Sequence, residues 1–364
     1  MNKGLPKWAD IILIPLLSLT LAFLVSGLIV MFIGQNPIEA VKVMLVGEFG
    51  NSGAFGRFGI GYTLYYTTNF IFTGLAVAVA FHARMFNIGG EGQAGMGGVG
   101  VATVLLSVAW PHWTIAIVAA SLGAMAFGAA WAAIPAYLQA KRGSHIVITT
   151  IMFNWIGSAL IVYLLVGPMQ APGMVPETLG FSAGSSIPTL HDMFPGFDKH
   201  APANVSLFIA LFAALGVWVL IWKTRLGYEI RAFGHSEKAA IYAGIKPVKI
   251  IMVAMLVSGA LAGMMAVNTV QGEAERLILD TVQGAGFVGI AVALMGRSHP
   301  VGVVLAAFLF GVLYQGGSEL QYIGIPREMV VVIQALVIMF VGSLENMVRI
   351  PVERMFVRFN KGAA

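Results

Sequence analysis

Apolar residues along this chain fall into long runs separated by short polar turns. Runs of about 17–25 residues have the length a helix needs to cross roughly 30 Å of hydrocarbon. Ten such runs predict ten membrane spans. They cover about Ile11 to Ile33, Tyr62 to Phe81, Phe86 to Val108, Trp113 to Leu138, Ile146 to Val166, Val205 to Trp222, Ile250 to Val270, Gly284 to Met295, Val301 to Gln315 and Met329 to Gly342. The eighth and ninth are short enough to be half-spans or a re-entrant hairpin. Lys3 and Lys7 precede the first run as in a signal peptide. That run is longer than a signal core and no small-x-small cleavage site follows it, so it reads as an uncleaved first span.

The basic residues set the orientation. With the N-terminus inside and ten alternating spans, only Lys42, Arg57, Lys199, Arg276 and Arg327 of the 21 Lys and Arg fall outside. That asymmetry places both termini in the cytoplasm by the positive-inside rule. Eight spans would do the same, so the orientation is firmer than the count. Acidic residues lean outward, among them Asp192, Asp198, Glu273, Glu275 and Asp280.

Composition agrees. The chain has 364 residues, 58% hydrophobic and 10% charged, with a mean hydropathy of +0.86. Soluble domains are about 45–50% apolar and about 25% charged. The fold expected is an all-α polytopic bundle forming one transmembrane domain over residues 1–364. Its largest outer loop runs from about 167 to 204 and its largest inner loop from about 223 to 249. The net charge of +5 serves orientation and gives no reason to invoke a nucleic-acid partner. The 44 glycines gather with alanine inside the spans, at Gly89 to Gly100, Ala116 to Ala133 and Gly259 to Ala266. Small residues let helices approach closely in lipid, where apolar burial no longer drives association.

Much chemistry is excluded. Cysteine is absent, so no thiolate can bind a metal or act as a nucleophile. The seven histidines have no metal-ligand spacing, and His82, His145, His235 and His299 read as interfacial residues at helix ends. No G-x-x-x-x-G-K-[ST] loop is present, so the chain has no ATP site of its own. No catalytic residue, metal site or cofactor is expected.

Two polar features stand out. Asn87, Glu91 and Gln93 open the third span among four glycines, and Asn154 lies midway along the fifth. Ionisable groups at lipid depth face a bundle interior or water. Glu91 therefore either lines a solute path or marks a hinge, or it is a structural carboxylate capping its own helix. It stands only seven residues past Arg84, which puts it close to the inner interface. Asn154 either ties helices together or faces solute. In the inner loop, Ser236 is a good N-cap, Glu237 sits in the first turn, Ala239 to Ala243 are helix formers, Gly244 suits C′ and Pro247 follows. A helix that short needs something to pack on.

This loop resembles the signature of permease subunits of ATP-binding-cassette importers in the ribose, nucleoside and branched-chain amino-acid group. It matches R-A-x-G-x-x-x-x-A-A-x-x-A-G-I at Arg231, Ala232, Gly234, Ala239, Ala240, Ala243, Gly244 and Ile245. Phe86 to Gln93, Thr149 to Trp155 and Gly286 to Gly296 are similar to further segments of the nucleoside branch. The resemblance implies a coupling helix for ATPase docking made of Ser236, Glu237, Lys238, Ala239, Ala240, Tyr242, Ala243 and Gly244. It also implies cytosolic ATPase subunits, a second permease subunit, identical or related, and an extracytoplasmic solute-binding protein. The cargo expected in the inner membrane is a neutral polar solute, a nucleoside first and a sugar next, because few ionisable groups reach mid-depth. The alternative is an ion-gradient-driven secondary transporter, which would need a deep carboxylate. Finally, Gly74 to Ala80 resembles Gly289 to Met295, and each precedes a basic turn, as an internal repeat would.

Overall fold

The computed structural model describes Pro6, Ala9 and residues 13–47, 50–340 and 345–362. Lys3, Lys7, the start of the first expected span and the end of the tenth at Gly342 lie outside them. The described chain is helical, with isolated β-bridges such as Glu177 to Ile278. Its helices are α1 Ile14–Phe32, α2 Pro37–Val46, α3 Gly59–His82, α4 Gly90–Leu105, α5 Trp113–Arg142, α6 Ile146–Val166, α7 Leu190–Met193, α8 Ser206–Lys223, α9 Arg225–His235, α10 Glu237–Tyr242, α11 Pro247–Ala266, α12 Ala285–Met295, α13 Pro300–Glu319, α14 Arg327–Ile338 and α15 Glu345–Gly362. A π-helical stretch, Val267–Ala274, prolongs α11.

The expected count of ten spans is not reached. Among the described residues, six helices are long and apolar enough to cross a membrane, or seven if α1 and α2, bent by 113°, form one broken span. The expected third, eighth and tenth spans coincide with helices of 16, 11 and 12 residues. The physical reasons are local. Residues 85–88 are not helical, so α4 starts only at Gly90, and α12 starts only after Gly284, whose φ of +79° ends the preceding loop. The eighth run is therefore a half-length helix, while the ninth, α13, is full length.

The chain divides into two compact units, residues 1–59 with 312–364, and residues 60–311. In the first, the Asn36 side chain accepts from the Ile38 N–H and Pro37 opens α2, which turns the chain sharply after α1. Ser52 hydrogen-bonds the Glu319 carboxylate, and Gln315 donates to the Ser52 carbonyl at 2.8 Å.

In the second unit α4, α5 and α11 pack most extensively on one another. Their meeting points are backbone. A Cβ at Gly97 would overlap Gly263, and one at Gly128 would overlap the Gly259 carbonyl. This is the small-residue packing that the clustered glycines predict, with dispersion between closely spaced backbones replacing the hydrophobic effect. The two similar segments also touch. Gly74 faces Val292, and Gly289 faces Thr73. Each ends in a turn closed by a left-handed arginine, Arg84 (φ 56°) and Arg297 (φ 51°).

Candidate functional site

At one end of the second unit, Thr224 caps α9 by accepting from the Gly227 N–H at 3.0 Å. Gly227, Ile230, Phe233 and Gly234 form the buried stripe of α9. Gly234 lies against the His82 carbonyl so closely that a Cβ there would overlap it. His82 Nε2 lies 3.1 Å from the Ser298 carbonyl oxygen, and the Trp222 ring packs between His82 and His299, with centroids 5.2 and 5.0 Å away. His82 and His299, two of the four histidines expected at helix ends, thus join the ends of α3, α8, α9 and α12.

Beyond α9, Ser236 caps α10 by accepting from the Ala239 N–H at 3.3 Å, and Gly244 (φ +83°) closes it. Of the expected coupling residues, Ser236, Glu237, Lys238, Ala239, Tyr242, Ala243 and Gly244 are exposed, Tyr242 by 96%. Ala240 is buried and faces inward, because it is the one α10 position turned toward the chain itself. Glu229 of α9 accepts from Lys249 Nζ at 3.0 Å and Arg225 Nε at 3.2 Å, tying both ends of the loop. The bond from Lys249, with the two positive charges, holds the Glu229 carboxyl below its usual range.

The polar residues of the third and fifth spans come together. Asn87 donates to Gln93 Oε1 at 2.9 Å and to Ser258 Oγ at 2.8 Å, and its Oδ1 accepts from the Gly89 N–H. Asn154 accepts from the Gly92 N–H and donates to the Ile88 carbonyl, both at 2.9 Å. Asn87, Gln93 and Asn154 are buried. The bonds to the Gly89 and Gly92 N–H groups and the Ile88 carbonyl satisfy backbone groups that the non-helical entry to α4 leaves unpaired, a need set by burial.

Glu91 corrects a sequence expectation. Its two carboxylate oxygens accept from the Gly284 and Gly286 N–H groups at 2.8 and 2.9 Å, at the N-terminus of α12. The opposite end of α12 leads into the turn held by His82. Eleven residues at 1.5 Å each put Glu91 about 16 Å from that level. Residues 85–88 between Arg84 and the α4 N-cap are not helical. The carboxylate caps α12 and not α4, the helix that carries it.

A cleft of about 80 Å³ opens beside Glu91, lined by Asn154, Ser158, Ile161, Asp280, Thr281 and neighbours. Ser158 and Thr281 were not singled out from sequence, and Asp280 only as an outward-leaning acid. Ser158 had one available signal, its place one helical turn after Asn154. A second polar cluster also went unseen. Asn268 of the π-helical stretch donates to Asn69 Oδ1 and the Tyr65 carbonyl and accepts from Asn204 and Ser206, at 2.8–3.0 Å. Tyr65 bonds Glu273. On the same side the expected outer loop is stitched to residues 275–278, through Thr178 N–H to the Leu277 carbonyl at 3.0 Å and Arg276 to Glu177 at 2.9 Å.

Residues 59–342 match the family described as branched-chain amino acid transport system / permease component. The chain is 33% identical to a glucose ABC transporter permease protein of Haloferax volcanii over 336 residues, 91% of this chain and 87% of the relative. It is 34% identical to a guanosine ABC transporter permease protein of Bacillus subtilis over 91% of this chain and 93% of the relative. It is 32% identical to a nucleoside ABC transporter permease protein of Lactococcus lactis over 91% and 90%. No solved structure matches the chain significantly. The chain is a multi-pass membrane protein and belongs to the branched-chain amino acid transport system permease family.

Proposed function

We propose that this chain is the permease subunit of an ATP-driven, binding-protein-dependent importer carrying a neutral polar solute, a nucleoside first and a sugar next, across the inner membrane. The observation that carries the reading is the short capped helix α10, which hides only Ala240 and offers its remaining positions to solvent. A six-residue helix exposed on nearly every side is unstable alone and needs a surface to dock on. A cytosolic ATPase pair supplies that surface, and its closure on ATP moves α10. A second permease subunit and an extracytoplasmic binding protein complete the assembly. The guanosine, nucleoside and glucose permeases among the relatives support the solute class. So does Glu91. An open half-helix N-terminus in the membrane attracts anionic solutes, and here the protein's own carboxylate occupies it.

The rival reading, an ion-gradient-driven transporter, gains from a carboxylate set among the helices at the start of α12. It loses because both carboxylate oxygens are already engaged by backbone N–H groups. The test is gentle solubilisation of native membranes followed by mass identification of co-purifying chains, with labelled guanosine and glucose uptake in parallel. Recovery of an ATPase with a phosphate-binding loop, and uptake that ceases on ATP depletion, is the expected result. Uptake that survives ATP depletion and collapses with the ion gradient would reverse the choice.

A further inference from the structure

We propose that the cleft beside Glu91 is a station on the solute path that reads the hydroxyl groups of a sugar ring. This rests on the importer reading and names the part of the solute recognised. The cleft lining combines two chemistries. Ser158, Asp280 and Thr281 supply polar groups, and Ile161, Val162 and Ile278 supply apolar surface. Its lining holds no cationic side chain. Such a site offers acceptors to hydroxyl donors and an apolar surface to the C–H face of a ring, the usual division of labour in small-molecule sites. Its volume of about 80 Å³ suits several waters or one edge of a sugar, not a whole nucleoside.

Exposure supports a watery path. Ser158 stands midway along α6 and is exposed, as is Asp280. Among the described residues Asp280 makes no ion pair. A carboxylate exposed in a cleft beside the spans faces water or a solute, because lipid is too costly. Asp280 also holds a left-handed backbone (φ 56°), as does Gln283 (φ 50°). Non-glycine residues rarely keep that conformation unless the surroundings impose it. The relatives' named cargoes are guanosine, nucleosides and glucose, whose common feature is a ring with adjacent hydroxyls.

The absence of cysteine makes the test direct. Ser158→Cys and Thr281→Cys each place a single thiol in this chain. The assembled complex, turning over ATP with its binding protein, is treated with a charged thiosulfonate, and the mass of this subunit is followed. The expected result is modification that slows about tenfold with guanosine or glucose at ten times its half-saturating concentration, and no slowing with guanine. Thiols that do not react with the charged reagent face lipid and overturn the proposal. Thiols that react without protection by any sugar-bearing solute overturn it too, while leaving the importer reading intact if uptake persists. A wild-type complex that imports neither solute removes the importer reading and the cleft together. An Asp280→Asn variant gives an independent check, an expected loss of preference for guanosine over its 2′,3′-dideoxy analogue. An unchanged preference counts against the assignment.

Discussion

Glu91 and Gly286 are joined twice. The carboxylate of one accepts the N–H of the other at 2.9 Å, and a Cβ on Gly286 would overlap the Glu91 backbone. The half-helix α12 therefore starts where α4 starts, with no side chain between them. Gly286→Ala cannot be relieved by rotating a side chain, so it is expected to cost about 1–3 kcal/mol, seen as a lower melting temperature in detergent. Glu91→Gln keeps the shape and removes the charge from the N-terminus of α12, for a loss of up to about 2 kcal/mol. A Glu91→Gln protein as stable as the parent would show that the charge does not stabilise α12.

Asn154 and its neighbour Trp155 separate structure from surface. Asn154→Ala leaves the Ile88 carbonyl and the Gly92 N–H unpaired in a buried place, at about 1–3 kcal/mol for each group. Trp155 is 75% exposed, so Trp155→Ala is expected to leave the melting temperature of the isolated subunit nearly unchanged. Equal losses in the two variants would contradict the bonding described for Asn154.

On α10 the exposed Tyr242 and the buried Ala240 should part company. Tyr242→Ala is expected to lower recovery of the ATPase and solute uptake while stability stays within about 0.5 kcal/mol of the parent. Ala240→Asp buries a charge against the chain itself and is expected to melt the loop before it reports on docking. Full uptake by Tyr242→Ala would remove that residue from the contact.

The Glu229–Lys249 pair carries a pH dependence with a definite sign. Its folded-state pKa is lowered, first by the hydrogen bond from Lys249. Its stabilisation is therefore complete above the ordinary carboxylate range and lost as pH falls through the lowered value. Amide exchange in α9, corrected for intrinsic rates, should rise on the acid side of that range. Glu229→Gln should exchange faster at neutral pH and respond less to acid. A parallel acid response in both proteins would exclude this pair as the cause.

Much of this was legible in the sequence because it rests on local rules. The α10 boundaries follow from Ser236 and Gly244, and those of α6 from one apolar run. The inner loop, the clustered glycines and the family resemblance likewise needed only residue order. What stayed hidden depends on residues far apart in sequence. Seven residues past Arg84 reads as a continuing helix, yet Asn87, Asn154 and Ser258 hold residues 85–88 out of it. Asn268 reads as a lone amide in an apolar run until Asn69, Asn204 and Ser206 converge on it. Asp280 reads as an ordinary loop acid until α4 and α6 form the other sides of its cleft.

The backbone meetings of Gly97 with Gly263 and Gly128 with Gly259 have a bearing on how work can pass through the molecule. A contact without side chains has no rotamers and so no second arrangement to switch into. The three helices joined this way, α4, α5 and α11, can only travel together. They form the stator against which something else turns. The part with slack is α10, which buries Ala240 and leaves its other positions exposed. Any power stroke delivered to this subunit has to be spent there.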